Sequence, residues 1–307
     1  MTHLLKLGII GGAGLIGATV AFCAASEGLF DEIKLFDVRE NLAMSHAMDI
    51  EQAVCEKNSV NLSVCDIDGL SSCDIILNAA GIPEMKAGSR DDYLSGNILI
   101  IKELAEKIRK WSKTPIILSA TNPIDVLNYE LFRASGLQRE KVIGFSRNDS
   151  LRFIWAAARE TGIPPSQLSA LVIGEHGDAQ VPLFNSLRHK GSEQTVDLTD
   201  GQKGDILGRV KVWFSEYQTL ESGRSSGWTS ALGITHILKL MLTNSDELCP
   251  CSVIPDGEYG LHDLSIGLPV KLGTSGVREI AVIELSEDET AALQSAAEKI
   301  KMLITAS

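Results

Sequence analysis

What this chain lacks narrows its chemistry before any motif is read. It has no surplus of positive charge: 28 Lys and Arg stand against 40 Asp and Glu, a net charge of −12. That balance argues against nucleic acid and against an anionic membrane as partners. Any anionic ligand must therefore be held by a local cluster of Arg and backbone N–H groups. No uninterrupted apolar run is long enough to span a bilayer; the stretch 234–242 is broken by His236 and Lys239. No CxxC occurs among the six cysteines (Cys23, Cys55, Cys65, Cys73, Cys249, Cys251), and Cys249-Pro-Cys251 is not a zinc spacing. Buried free thiols are expected, and no metal site. Repeats, low-complexity segments and disordered linkers are absent too. The first strand-like segment begins within a few residues of Met1, which leaves no room for a leader peptide and predicts a cytoplasmic protein.

What is present begins with glycine. An apolar run over residues 4–10 reads as a strand buried on both faces. Gly12-x-Gly14-x-x-Gly17 follows at once, and residues 15–25 read as an Ala-rich helix. The expected roles are a tight turn at Gly12, close approach of a pyrophosphate at Gly14, and close strand–helix packing at Gly17. The helix N-terminus would present free N–H groups and partial positive charge to phosphates. Asp37 ends a second apolar segment, 33–36, about twenty residues after Gly17, where a carboxylate accepts from an adenosine ribose. Strand, turn, helix, strand and acid in that order make this a dinucleotide site. Asp37 would repel a 2′-phosphate, so NAD rather than NADP is expected, although Arg39 lies two residues on.

At 307 residues with 44% hydrophobic content, the chain can build two domains or one large α/β unit. Helical periodicity is expected over 41–55, 94–111 and 124–135. Strands are expected over 60–64, 74–80, 115–120 and 142–145, with a polar loop at 81–92. This alternation predicts a Rossmann-type, doubly wound parallel sheet over residues 1–146. From Asp149 the texture changes. Helices are expected at 150–161, 204–222, 230–242 and 287–305, the last with a Ser286/Glu289 capping box. Strand-like pieces lie at 170–173, 196–198, 252–259, 265–272 and 278–284. Residues 147–307 thus read as an α+β substrate domain with a mixed or antiparallel sheet.

Two clusters in this second half carry chemistry. Of six histidines, only His176, in Gly174-Glu-His-Gly-Asp178, sits at a strand end between glycines and acids. Glycines on either side free the backbone to place an imidazole at the mouth of a cleft; a surface-loop histidine is the plain alternative. Asp149 and Arg152 lie three apart on one helical face. They form either a surface ion pair or a working pair, in which Asp149 fixes an imidazole tautomer and Arg152 grips a carboxylate through two parallel bonds.

With these motifs assembled, the sequence resembles the L-lactate/malate dehydrogenase family over nearly its whole length. The matching stretches are Gly12–Gly17 with Asp37, Ala47-Met-Asp-Ile50, Ala80-Gly-Ile-Pro83 with Arg90, and Thr121-Asn-Pro123. Asp149-Ser-Leu-Arg-Phe153, Gly174–Asp178, Gly257-Glu-Tyr-Gly260 and Gly267-Leu-Pro-Val270 complete the set. The resemblance implies an oxidoreductase that moves a hydride between NAD and an L-2-hydroxy acid/2-oxo acid pair. His176 is then the acid–base group, Asp149 its partner, Arg152 the carboxylate anchor, and Arg90 the loop arginine that polarises the carbonyl. Asn122 contacts the substrate oxygen and helps seat the nicotinamide. The cofactor set comprises Gly12, Gly14, Leu15, Ile16, Gly17, Asp37, Ala80, Gly81, Asn97 and Asn122. Glu84 and Ser225 join Arg152 and Asn122 at the substrate, and the family implies a homodimer or homotetramer.

Three departures from the family pattern stand out. Glu84 occupies the position that carries Arg in malate enzymes and usually Gln in lactate enzymes, which argues against a dicarboxylate. The connection from Gly144 to Asp149 is one residue short, with Asn148 where Leu is common. Around Gly223-Arg-Ser225-Ser-Gly-Trp228 the register slips. Malate dehydrogenase proper remains an alternative. So do an NAD-dependent glycosidase, disfavoured because no Cys sits beside Asn122 or Arg152, and a non-catalytic NAD-binding protein, disfavoured by the intact polar set.

Overall fold

Continuous apolar segments alternate with amphipathic ones through the first half, and they fold as that pattern requires. The computed structural model of the chain describes residues 4–82, 90–221 and 226–306, apart from the side chains of residues 90–93, 214 and 218. Strands β1 (Lys6–Ile10), β2 (Glu32–Phe36), β3 (Asn61–Val64), β4 (Ile75–Asn78), β5 (Ile116–Ser119) and β6 (Val142–Phe145) pair in parallel in the order β3-β2-β1-β4-β5-β6. Helices α1 (Leu15–Ser26), α2 (Glu40–Val54), α3 (Arg90–Ile108) and α4 (Ile124–Ser135) lie between them. β4, β5 and β6 are buried at every position, as a strand covered on both faces must be. The strand order reverses between β1 and β4, which opens a crevice at their carboxyl ends.

The second half holds α5 (Asn148–Thr161), β7 (Leu168–Gly174), β8 (Gln180–His189), α6 (Asp200–Thr219), α7 (Gly227–Thr243), β9 (Cys249–Val253), β10 (Ile266–Gly273), β11 (Gly276–Ile280) and α8 (Glu287–Ala306). Its strands do not form a separate sheet. β9 pairs antiparallel with β6, and β10, β7 and β8 follow, so one 11-stranded sheet runs through the chain. One apolar core accompanies it, from Leu7 and Ile33 to Ile234 and Leu268. α1 is lined with Val20, Ala21, Ala24 and Ala25, small side chains that allow α7 to pack closely on it. Ile10, Ile76, Ile101, Ile117 and Leu127 form a second core, with α3 and α4, and Phe153, Leu168, Leu187 and Ile206 a third, between α5, β7, β8 and α6.

Several expectations shift. Residues 196–198 are not a strand: Val196 and Leu198 alternate because they pack on the Phe153 cluster, and beside them only Thr195 makes an isolated bridge, to Arg188. The partner of β7 is instead β8, whose alternation is obscured by Pro182 and by a bulge over residues 184–187, opposite the step from Ser169 to Leu171; an edge strand tolerates both. The segment at 252–259 stops pairing at Val253 and turns through Gly257 at φ +111°. Cys73, Cys249 and Cys251 are buried free thiols as expected, but Cys55 is exposed. The Ser286 box forms: Ser286 Oγ accepts from the Glu289 N–H at 3.2 Å, and Glu289 accepts from the Ser286 N–H at 2.9 Å. No helix among the described residues is long and apolar enough to cross a membrane.

Candidate active site

The crevice between β1 and β4 is edged by the glycine-rich turn. The positive φ of that turn falls at Gly11 (+85°), not at Gly12, because Gly11 is where the chain leaves the strand. Its N–H and that of Gly12 both bond the Phe36 carbonyl, at 2.9 and 3.0 Å, and bind the turn to the end of β2. Asp37 closes the same corner, accepting from the Ala13 N–H at 2.9 Å and from the Arg39 N–H at 2.9 Å. A carboxylate has about four acceptor sites, so capacity for ribose hydroxyls remains. Gly14 is the N-cap of α1 and brings no side-chain bond to the first-turn N–H groups, among them those of Leu15 and Ile16. A Cβ at Gly14 would meet only the Gly11 carbonyl, at 3.2 Å. This open, uncapped helix start is a cradle of the shape and polarity that a pyrophosphate fits.

On the other side of the crevice the ends of β4 and β5 are tied together. Thr121 Oγ1 donates to the Ala80 carbonyl at 2.6 Å, and a Cβ at Gly81 would lie 2.5 Å from Thr121 Cγ2. Asn97 is fully buried; its Oδ1 accepts from the Ile82 N–H at 2.8 Å and its Nδ2 donates to the Asn122 carbonyl at 3.1 Å. Asn97 thus clamps the loop at Ala80–Gly81 to Asn122.

The acid–base centre lies where β7 ends. Gly174, at φ +88°, turns the chain so that His176 meets α5. His176 Nδ1 lies 2.6 Å from Asp149 Oδ2, and Asp149 Oδ1 accepts from Arg152 at 3.2 Å. The two readings of Asp149 and Arg152 are therefore realised together: the helix ion pair exists, and the same carboxylate holds the imidazole. The three side chains are only 6–16% exposed. With Nδ1–H on Asp149, Nε2 is the nitrogen left for a ligand. Burial alone would push the imidazole down; the charge and hydrogen bond of Asp149, with further negative charge from Asp125, outweigh it and hold His176 above its usual value of 6.5. The guanidinium of Arg152 stacks on Trp213 of α6, 4.4 Å from the ring centroid, and Trp213 stacks in turn on Tyr217.

Glu84, Ser225 and the Arg90 side chain fall outside the described residues; the backbone of Arg90 opens α3. Sequence reasoning missed Asp125, whose Oδ2 accepts from the His176 N–H at 2.8 Å, and Trp213. The available signal for Asp125 was a carboxylate and an amide, Asp125 and Asn128, three apart among the apolar residues Ile124, Val126, Leu127 and Leu131. It missed Lys299 as well, which reaches from α8 to Glu175 at 2.6 Å and steadies the histidine loop.

Comparison with known proteins adds the following. The family described as lactate/malate dehydrogenase, NAD binding domain, matches residues 5–144; lactate/malate dehydrogenase, alpha/beta C-terminal domain, matches residues 147–307. A malate dehydrogenase of Halobacterium salinarum is 31% identical over 300 residues, 97% of each chain. An L-lactate dehydrogenase of Geobacillus stearothermophilus is 29% identical, covering 96% of this chain and 95% of its own. The structure of a Cryptosporidium parvum lactate dehydrogenase with lactic acid and nicotinamide adenine dinucleotide superposes with a TM-score of 0.91 at 25% identity, covering 100% of this chain and 98% of that one.

Proposed function

Because this chain belongs to the lactate/malate dehydrogenase family, we propose that His176, Asp149 and Arg152 are the working set of its NAD-dependent 2-hydroxyacid dehydrogenase activity. The observation that carries this reading is the 2.6 Å and 3.2 Å chain from His176 through Asp149 to Arg152. When bound, the cofactor would supply the hydride as NADH in reduction and would accept it as NAD+ in oxidation. Arg152 holds the substrate carboxylate in a planar grip, so that the carbonyl carbon is aimed. His176, protonated at Nε2, gives its proton to the carbonyl oxygen as negative charge builds there, and Asp149 stabilises the imidazolium meanwhile. In oxidation the same nitrogen, neutral, takes the hydroxyl proton. Arg90 adds positive charge beside that oxygen, a role supported by its sequence position. Gly12, Gly14 and Gly17 shape the phosphate cradle, and Asp37 accepts from the ribose.

The preferred substrate is a 2-oxo acid without a distal carboxylate, and Glu84 supports this choice. Two carboxylates about 5 Å apart at an effective dielectric near 20 repel by roughly 3 kcal/mol, about two orders of magnitude in rate. A second reading, malate dehydrogenase, is favoured by the Halobacterium relative. The deciding experiment follows NADH oxidation with oxaloacetate, pyruvate and larger neutral 2-oxo acids, in the wild type and in Glu84→Arg. Neutral acids should lead in the wild type, and Glu84→Arg should gain oxaloacetate activity. A wild type that prefers oxaloacetate makes malate the substrate.

We place the enzyme in the cytoplasm, which its free thiols support, and as a homodimer or homotetramer. Exposed Leu42 and Met48 on α2, Trp155 on α5 and Leu232 on α7 supply apolar surface for self-association. Sedimentation at micromolar concentration tests this; a monomer there refutes it.

A further inference from the structure

Below His176 lies a second buried carboxylate that the proposed reaction does not use. Asp125, in the first turn of α4, is 4% exposed. Its Oδ2 accepts from the His176 backbone N–H at 2.8 Å, and its Oδ1 accepts from Ser252 Oγ. Ser252 Oγ lies 2.8 Å from Ser265 Oγ, and Asn128 Nδ2 donates to Ser265 Oγ at 3.0 Å. The direction of this chain is set by its far end, because an amide nitrogen only donates. With Ser265 Oγ accepting there, Ser252 Oγ is the acceptor within reach of its own hydroxyl, and Ser252 donates in turn to Asp125. Every donor points at the carboxylate. A protonated Asp125 would reverse the chain and leave the Ser265 hydroxyl without an acceptor, so the network is built for the anion.

Burial opposes that anion and pushes Asp125 up to about 6; the bonds from Ser252 and His176 and the imidazolium charge act against the rise. Among the described residues, the charged groups facing His176 are Asp149 and Arg152 from α5 and Asp125 from α4, while Glu175 of its own loop acts on Asp125 and is paired with Lys299 of α8. Among these, Asp125 and Asp149 favour the imidazolium and Arg152 opposes it.

We propose that Asp125 is a positioning residue for the acid–base step: it fixes the backbone of His176 and, as a second buried negative charge, keeps the imidazole protonated at pH values where Asp149 alone would let the proton go. The inference rests on His176 being the acid–base group. It makes the histidine respond to two carboxylates on different helices, with Ser252, Ser265 and Asn128 as the support of the second.

Asp125→Asn keeps an acceptor for the His176 N–H and removes the charge. The test follows kcat/KM against pH in both directions, with pyruvate or oxaloacetate, whichever is faster, and with L-lactate or L-malate in reverse. The alkaline midpoint of reduction and the acid midpoint of oxidation should both fall by about one pH unit, a tenfold change in proton affinity. Asp125→Glu should recover part of the shift. In the NAD-bound protein, the His176 Cε1–H resonance, assigned by its loss in His176→Gln, should titrate lower by the same amount. A purely structural Asp125 would lower both rates and leave midpoints and resonance in place, which overturns the proposal. Should Asp125→Asn not fold, Ser252→Ala decides: it keeps the carboxyl group but removes the bond that favours its anion, so Asp125 holds its proton to higher pH and the midpoints should still move down; unmoved midpoints overturn the proposal. Near-normal turnover by His176→Gln would instead remove the reading of His176 itself.

Discussion

Arg152 is held from two directions, and the consequences separate by substitution. One guanidinium nitrogen bonds Asp149 and the guanidinium lies over the Trp213 ring, which leaves further donors for a carboxylate. Arg152→Lys keeps the charge but loses the planar grip and the stacking. It should raise KM and lower kcat together, at least ~10²-fold in kcat/KM, because a loose carboxylate also misaims the carbonyl. Trp213→Leu removes only the stacking, worth about 1–2 kcal/mol at a partly buried site. It should cost roughly 5–30-fold in kcat/KM, with Trp213→Phe near the wild type; equal kinetics for Leu and Phe would show that the ring face does nothing. At His176 the sign is fixed by the upward shift. The proton that reduction needs persists above pH 6.5 and is lost as pH rises through the raised value, so reduction fades on the alkaline side. Asp149→Asn should move that fall to lower pH and cost at least ~10²-fold.

At the scale of elements, the glycine turn allows stability and binding to be tested apart. A Cβ on Gly17 would sit 2.2 Å from the Gly11 carbonyl oxygen, backbone against backbone, so Gly17→Ala must displace the turn. Gly14 has an ordinary extended conformation and its Cβ would press on one atom only, the Gly11 carbonyl oxygen at 3.2 Å, which must give by a few tenths of an ångström, yet that Cβ would enter the cradle. Gly17→Ala should therefore lower both the Tm and NADH affinity, whereas Gly14→Ala should hold the Tm and weaken NADH alone, read by nicotinamide fluorescence. Elements also differ in how much of them sequence discloses. β4, β5 and β6 were legible because a strand buried on both faces writes a continuous apolar run. β8 was not, since a proline and a bulge break its alternation. Asp149, Arg152 and His176 were legible as chemistry because glycines and helical spacing mark them. Asp125 was not: its partner Ser252 lies 127 residues away, and no local pattern encodes a contact of that range.

The whole molecule is tied by its sheet. The sequence suggests a division near residue 146, yet β6 pairs directly with β9, at Gly144–Ser252 and Phe145–Cys251. α1 packs on α7 so closely that a Cβ on Gly227 would lie 2.5 Å from Leu15. One apolar core includes both Leu35 of the nucleotide side and Leu268 of the histidine side. Two halves joined only by a linker would melt independently; halves that share a core and a ladder lose each other's burial when either opens. Calorimetry should accordingly show one transition. NADH at a hundredfold excess over its Kd stabilises the native state by about 2.7 kcal/mol. At about 2.1 cal/mol/K per residue, that raises the Tm of a chain of this size by about 4 °C. The increase should be equal whether unfolding is followed by fluorescence of Trp111, in the nucleotide half, or of Trp213, beside Arg152, each retained as the sole tryptophan. Two resolved transitions, with NADH moving only the one reported by Trp111, would mean that the shared core is too weak to couple cofactor binding to the acid–base centre.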